Sequence, residues 1–371
     1  MPPKTTRAIV QTAPRQLELR ELPIPDIDDD GALLRVEACG ICGSDVEQYT
    51  GVLPVRWPLI PGHEPLGIIE RIGDRAAERW GVDVGDRVAV EVLIPCGYCR
   101  ACIGGNYQLC RGRGSGLFGY SYIPLSHAPG LWGAYADFMY LDPHSLVHKV
   151  RKDLPPGLAV MFNPLGAGFR WAVDIPDTGP GDIVLILGPG QRGLASAIAA
   201  RAAGADMIIV TGLDRDASKL ALALELGADH VINIEADDAR KAVRDLTNGH
   251  GADVIVEVSA YAAEPIAESL YYAAMGARIV LAGVKGFKPV PDFISDLVVA
   301  KEIKITGALG VTSKSYQAAI RLIESGRMPL LGKMHTHEFP LEQAEHAIQM
   351  LAGDLPGESS IHSCLLPSKG G

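Results

Sequence analysis

The chain is 371 residues long, carries a formal net charge of -10, and is 47% hydrophobic with 21% charged residues. That length exceeds what one hydrophobic core usually supports, and the composition is that of a well-buried globular protein rather than a disordered one. The acidic balance, with no Lys/Arg run, argues against a nucleic-acid partner, and no stretch approaches the roughly 18 apolar residues of a membrane span.

Met1 to Val10 has two basic residues but no apolar core of signal-peptide length. From Thr6 to about Val150, short apolar runs alternate with Gly and Pro: Ala8–Val10, Ala32–Ala38, Gly67–Ile72, Arg87–Leu93 and Ala134–Tyr140. Runs of this length separated by turn signals such as Gly85-Asp86 predict a β-rich, loop-rich domain. Near residue 164 the pattern changes. Strand-like runs at Ile183–Leu187, Met207–Thr211, His230–Ile232, Asp253–Val258, Ala277–Ala282 and Ile303–Thr306 alternate with helical patterns, which predicts an α/β doubly wound parallel sheet. Helices are expected near Ser315–Ser325 and Leu341–Leu351, and a short apolar end at Ile361–Leu366.

Four of the seven cysteines crowd into Cys96-x2-Cys99-x2-Cys102-x7-Cys110. Four thiolates on one lobe close a tetrahedral zinc site and leave no position for a substrate, so this site reads as structural. Such cysteine usage suits a reducing, cytoplasmic compartment better than a disulfide framework. A second constellation differs in kind. Ala38–Asp45, A-C-G-I-C-G-S-D, places the thiol of Cys42, the hydroxyl of Ser44 and the carboxylate of Asp45 within four positions, at what reads as the junction of an apolar run and a loop. The Pro61-Gly-His63-Glu64 step adds a nitrogen and a carboxylate. Together Cys42, His63 and Glu64 give a mixed ligand set with room for water, the composition of a catalytic zinc site.

Gly188-Pro-Gly190-Gln-Arg192-Gly193 follows a buried strand run and opens an Ala-rich helix from about Leu194 to Ala203, the context in which G-x-G-x-x-G signals a dinucleotide site. Arg192, in the first helical turn, either pairs with the pyrophosphate or is solvated. At the end of the second strand, where a ribose-binding carboxylate is expected, the chain has Thr211-Gly212. Asp214 and Arg215 follow. Asp214 on the ribose hydroxyls implies NAD(H); Arg215 on a 2'-phosphate implies NADP(H).

Cys42-Gly-Ser44-Asp45, the G-H-E of Gly62 to Glu64, the four-cysteine lobe and the glycine motif resemble the zinc-dependent medium-chain alcohol dehydrogenase family, and within it the polyol or sorbitol dehydrogenase-like branch. The resemblance spans nearly the whole chain. It implies a GroES-like β-rich catalytic domain, residues 1–164 and 309–371, and a Rossmann dinucleotide-binding domain, residues 165–308. It also implies reversible oxidation of an alcohol to a ketone or aldehyde, one catalytic and one structural zinc, and a homodimer or homotetramer joined through the last Rossmann strands near Ala277–Ala282 and Ile303–Ala308. By position, Cys42 and His63 match zinc ligands and Glu64 the carboxylate that ligates or swings toward the metal. Ser44 matches the hydroxyl that takes the substrate proton, and Asp45 the carboxylate that orients the histidine.

Two positions depart from the family pattern. The third ligand falls on Asn163, a neutral amide that either ligates, holds water near the metal, or is simply a turn residue before Pro164. Glu47 stands where many members have a histidine that ends the proton relay; it is either that acceptor or a surface glutamate. The loop Arg111–Trp132, with Phe118, Tyr120, Tyr122, His127 and Trp132, either lines an apolar cleft or makes a contact elsewhere. As a cleft it favours a secondary or aromatic alcohol over a polyol. Rival readings are a zinc-independent quinone or enoyl reductase, and a nucleotide-binding protein without turnover.

Overall fold

The computed structural model describes residues 4–113 and 118–370. Met1–Pro3, at the amino-terminal stretch read above, and 114–117, within the aromatic loop, lie outside the described residues. The chain divides into two compact units, Met1–Phe162 with His335–Gly371, and Asn163–Met334.

In chain order the strands are β1 (Thr5–Ala13), β2 (Gln16–Pro23), β3 (Ala32–Ile41), β4 (Glu64–Ile72), β5 (Arg87–Val90), β6 (Phe138–Leu141) and β7 (Val147–Lys149). There follow β8 (Ile183–Leu187), β9 (Met207–Gly212), β10 (His230–Asn233), β11 (Ala252–Glu257), β12 (Ala273–Leu281) and β13 (Lys304–Gly307), and then β14 (His335–Phe339) and β15 (His362–Leu365).

In the first unit β1 and β2 form an antiparallel ribbon, and seven strands form a mixed sheet in the order β14-β15-β3-β4-β5-β7, with β6 also on β3. β3 is its spine. Leu33, Leu34, Val36, Cys39 and Ile41 are buried in one core with Ile69, Val88, Met139 and Leu365. Each fully buried aliphatic side chain contributes about 1.5–3 kcal/mol, so the strand's register is firmly set. Cys39 belongs to this core; burial pushes its thiol well above the ordinary range. The sheet's last expected strand is shorter than its apolar run. Residues 134 and 135 instead donate to the carbonyls of Gly62 and Pro61, so the ladder begins only at Phe138. Two polar helices, Gly43–Thr50 and Asp74–Trp80, also interrupt what reads as loop.

The second unit holds six parallel strands in the order β10-β9-β8-β11-β12-β13. This is the doubly wound order, with the reversal point between β8 and β11. Val184, Leu185, Ile186, Val254, Ile255 and Val256 are all fully buried, as expected of strands covered on both faces. Residues 309–334, expected in the catalytic domain, group with this second unit instead. The helix Ser313–Ser325 is tied there: Ser315 donates to Asp174 at 2.6 Å and the Lys314 ammonium is 2.7 Å from the same carboxylate. Among the described residues no helix is long and apolar enough to cross a membrane.

Candidate functional site

β3 and β4 are antiparallel with Gly40 opposite Glu64. That register brings the residues just beyond the end of β3 beside those just before β4, and so sets Cys42 against His63. Cys42 is the N-cap of the helix Gly43–Thr50, so the motif lies at a strand-to-helix junction rather than at a loop. Polar residues dominate this helix, which hides it from an apolar-periodicity reading. Its start is held by Asp45, whose Oδ2 accepts from the Cys42 backbone N–H at 2.9 Å. An acidic side chain also suits the positive end of a helix.

The geometry that follows is tight. Cys42 Sγ lies 3.2 Å from His63 Nε2, and Ser44 Oγ is 2.7 Å from that sulfur and 3.2 Å from that nitrogen. Behind the ring, His63 Nδ1 is 3.3 Å from Asp45 Oδ1. Asp45 therefore holds the helix start with one oxygen and sets the other at ion-pair distance from the imidazole, outside hydrogen-bond geometry. Burial opposes a charge on His63, but Asp45 and Cys42 outweigh it and raise its pKa well above the usual histidine value. Sγ and Nε2 present two zinc-type donor atoms to one point. Zinc fits: bonds of about 2.3 Å to sulfur and 2.1 Å to nitrogen in a tetrahedron put those atoms roughly 3.6 Å apart.

Cys42, Asp45 and His63 each offer a donor atom within 4.8 Å of the others. Glu64 is not in that group. Its carboxylate is turned over Gly40 of β3, because successive residues entering a strand face opposite sides. Glu47 lies one helical turn beyond Ser44 and is half-buried, on the same face by its i,i+3 spacing.

The lobe Cys96, Cys99, Cys102 and Cys110 forms a second group of the same kind. Its sulfurs are 3.6 Å (99 to 102), 3.8 Å (99 to 110) and 3.9 Å (96 to 102) apart. The edge of a zinc tetrathiolate is roughly 3.8 Å, from Zn–S bonds near 2.3 Å. The Cys102 backbone N–H lowers the Cys99 thiol to about 6, and the Cys99 N–H points at Cys96 Sγ at 3.3 Å. None of the cysteines is disulfide-bonded. These residues fit a closed zinc site.

The aromatic loop, open to a role as cleft wall or as a contact elsewhere, packs largely on itself. Phe118, His127, Trp132 and Tyr120 pack on one another at ring separations of 5.5 to 6.4 Å, and Trp132 Nε1 donates to the His127 carbonyl. Tyr122 alone of the five turns to the site. Its ring is 6.1 Å from that of His63, and its phenol, raised by burial, also feels His63, Cys42, Asp45 and Ser44.

In the second unit Gly188 has φ +109° and Gly190 is the N-cap of the thirteen-residue helix Gln191–Ala203. A side chain on Gly193 would strike the Gly188 carbonyl, so the helix packs against the turn as closely as a pyrophosphate cradle requires. Arg192, half-buried, bonds to Asn163. Its guanidinium donates to Asn163 O at 3.1 Å and Asn163 Oδ1 at 3.0 Å, and lies 5.7 Å from the Trp171 ring centroid. Asn163 sits in the first turn of the helix Phe162–Phe169 rather than in a turn before Pro164, a position that tolerates proline next to it. Its amide nitrogen donates to Tyr316 Oη at 3.2 Å, so oxygen and nitrogen are both engaged.

Gly212 ends β9 with Pro189 and Leu220 packed against it. Beyond it Asp214 is exposed, accepts from Asn233 Nδ2 at 2.6 Å, and gives its backbone N–H to Glu235 at 2.7 Å; Arg215 beside it is also exposed. Sequence reasoning missed Asn233 and Glu235, which come from the next strand and the turn after it.

Residues 28–152 match the alcohol dehydrogenase GroES-like domain and residues 193–325 the zinc-binding dehydrogenase family. A Mycobacterium tuberculosis protein named "Probable alcohol dehydrogenase adh" is 47% identical over 97% of this chain and 98% of its own length. The erythritol/L-threitol dehydrogenase of Mycolicibacterium smegmatis is 35% identical over 99% of both chains. The crystal structure of an alcohol dehydrogenase from Thermotoga maritima superposes with a TM-score of 0.87 at 27% identity, covering 98% of this chain and 99% of that one. With its GroES-like and Rossmann units, its donor cradle and its glycine turn, this chain belongs to the zinc-dependent medium-chain alcohol dehydrogenase family and is an oxidoreductase.

Proposed function

We propose that this enzyme reversibly oxidises an alcohol to its ketone or aldehyde with a nicotinamide dinucleotide, at a zinc ion held by Cys42 and His63. The observation that carries the reading is the convergence of Cys42 Sγ, His63 Nε2 and Ser44 Oγ within 3.2 Å of one another. Zinc there supplies Lewis acidity, which makes an alcohol hydroxyl a better acid. The chain's own residues do the rest. Ser44 receives the hydroxyl proton, Glu47 one turn further along the helix accepts it onward, and Asp45 keeps the His63 ring turned so that Nε2 faces the sulfur. The four-cysteine lobe holds a second, structural zinc. A panel of alcohols assayed for formation of reduced cofactor tests the reading; a zinc-replete, cofactor-binding protein that reduces no cofactor with any of them would contradict it.

Tyr122, its ring 6.1 Å from that of His63, supports a bulky secondary or aromatic alcohol. The polyol reading is favoured by the 35% identical relative named erythritol/L-threitol dehydrogenase. The same panel separates them through the ratio of kcat/KM for a benzylic alcohol and a tetritol.

For the cofactor we infer NAD(H). Asp214 and Glu235 put two carboxylates at the end of β9 against the single Arg215, a balance that repels a 2'-phosphate and suits a ribose hydroxyl. Asp214→Ala is expected to raise KM for NAD by about tenfold, some 1.4 kcal/mol, and to narrow the preference over NADP. An unchanged preference would count against this assignment.

Two copies, or two pairs, are proposed to join through β13. All four of its residues, Ile305 among them, are exposed, and Val299 and Leu309 stand exposed on either side in the chain, a sheet edge that invites pairing. Light scattering at micromolar concentration is expected to give the mass of a dimer or tetramer; a monomer would contradict it. Seven free thiols support a reducing, cytoplasmic setting.

A further inference from the structure

From Val254 to Val256 β11 is apolar and fully buried, and its last residue, Glu257, also has no exposed surface. Its Oε1 faces Lys285 Nζ at 2.8 Å, and Lys285 is itself almost wholly buried. The ammonium has three N–H groups and three acceptors: Glu257 Oε1, the Ser259 carbonyl and Ser259 Oγ. Ser259 in turn gives its backbone N–H and its hydroxyl to Glu257 Oε1. The loop after β11 is therefore clamped to the loop after β12, and further backbone bonds run from Ala282 and Gly283 to Glu257 O and from Tyr261 to Val284 O.

The clamp stands at the carboxyl ends of the strands, on the β11–β12 side of the reversal point. Ser259 borders the glycine turn itself, since a Cβ on Gly188 would lie 3.4 Å from its backbone. In a doubly wound sheet a dinucleotide lies across that crevice, one mononucleotide half on each side. Asp214 and the end of β9 mark the adenosine half, so the clamp borders the half that takes the nicotinamide ribose and ring. A buried ion pair is a poor device for stability alone, because desolvating both charges offsets their attraction. This pair is also incompletely satisfied: among the described residues Glu257 Oε2 is buried without a hydrogen-bond donor.

Resting on the nicotinamide reading of the second unit, we infer that Lys285 and Glu257 are positioning residues for the nicotinamide half of the cofactor, acting through the Ser259 loop. They hold the backbone against which the ring must lie and leave the adenosine half untouched.

The test compares binding of the reduced dinucleotide with binding of ADP-ribose, which lacks only the nicotinamide, to the zinc-loaded full-length protein. Lys285→Met is expected to weaken the reduced dinucleotide about tenfold and to shift the emission of the bound dihydronicotinamide toward its value in water, with ADP-ribose affinity held within about twofold. Lys285→Arg, which keeps charge and donors, is expected to restore part of the loss. Glu257→Gln, nearly isosteric, is expected to act in the same direction as Lys285→Met and serves if that variant does not fold. The inference is overturned if both variants bind the reduced dinucleotide as wild type does, or lose ADP-ribose to the same extent. Wild-type protein that binds neither ligand overturns the nicotinamide reading itself, a distinct outcome.

Discussion

Cys42→Ala is expected to abolish alcohol oxidation while leaving the protein folded. The sulfur is one of two side-chain atoms that face the metal cradle directly, 3.2 Å from His63 Nε2, and an alanine methyl offers the cation nothing. A fall in kcat/KM of about three orders of magnitude is expected, equal to about 4 kcal/mol of barrier. One zinc per chain should be lost with it. Thermal stability should change little by comparison, because Cys42 lies at the end of β3 and its backbone cap to Asp45 does not use the thiol. Steady-state kinetics, metal content and a thermal melt on one preparation check all three. Full turnover in a variant that has lost that zinc would remove the mechanism.

Cys99→Ala is expected to do the reverse, with stability as the primary loss. Cys99 Sγ stands 3.6 Å from Cys102 Sγ and 3.8 Å from Cys110 Sγ, at the centre of a lobe with little core of its own: Tyr98, Ile103 and Leu109 are exposed. A zinc held by the four thiolates would supply the cohesion that packing does not. Losing one thiolate is expected to cost about 3 to 5 kcal/mol, seen as a fall in Tm of ~4 to 6 °C for a chain of this size. Residual activity at low temperature should survive, since the cradle at Cys42 is separate. A variant that melts with wild type would show that the four thiols bind no structural metal.

The features legible in the sequence are those built from local spacing or long apolar runs. The four-cysteine lobe lies within fifteen residues of chain, and the parallel strands of the second unit are continuous apolar segments, so both stand out from the order of residues alone. Features that depend on tertiary register are not legible in this way. Glu64 follows His63 in sequence yet turns over Gly40, while Asp45 reaches the ring from the next helix. Arg192 and Asn163 are 29 positions apart, and their hydrogen bond is not encoded in the local spacing of either. The aromatic loop has the composition of a cleft wall, but Trp132 collects its neighbours into a packed cluster and only Tyr122 remains at the site. The carboxyl-side domain limit falls later than the strand pattern implies for the same reason. The helix Ser313–Ser325 is claimed for the second unit by Asp174 and Asn163, contacts that its own amphipathic pattern does not encode.

The most direct measurement is a graded removal of zinc with a chelator, followed by return of the metal one equivalent at a time. The open cradle at Cys42 and His63 has fewer strong donors than the tetrathiolate lobe and should empty first. Activity is then expected to vanish with the first zinc lost, at unchanged Tm, and to return in proportion to the first equivalent restored. Activity that persists until the second zinc leaves, or that never depends on zinc, would contradict the assignment of Cys42 and His63 as the centre of the chemistry.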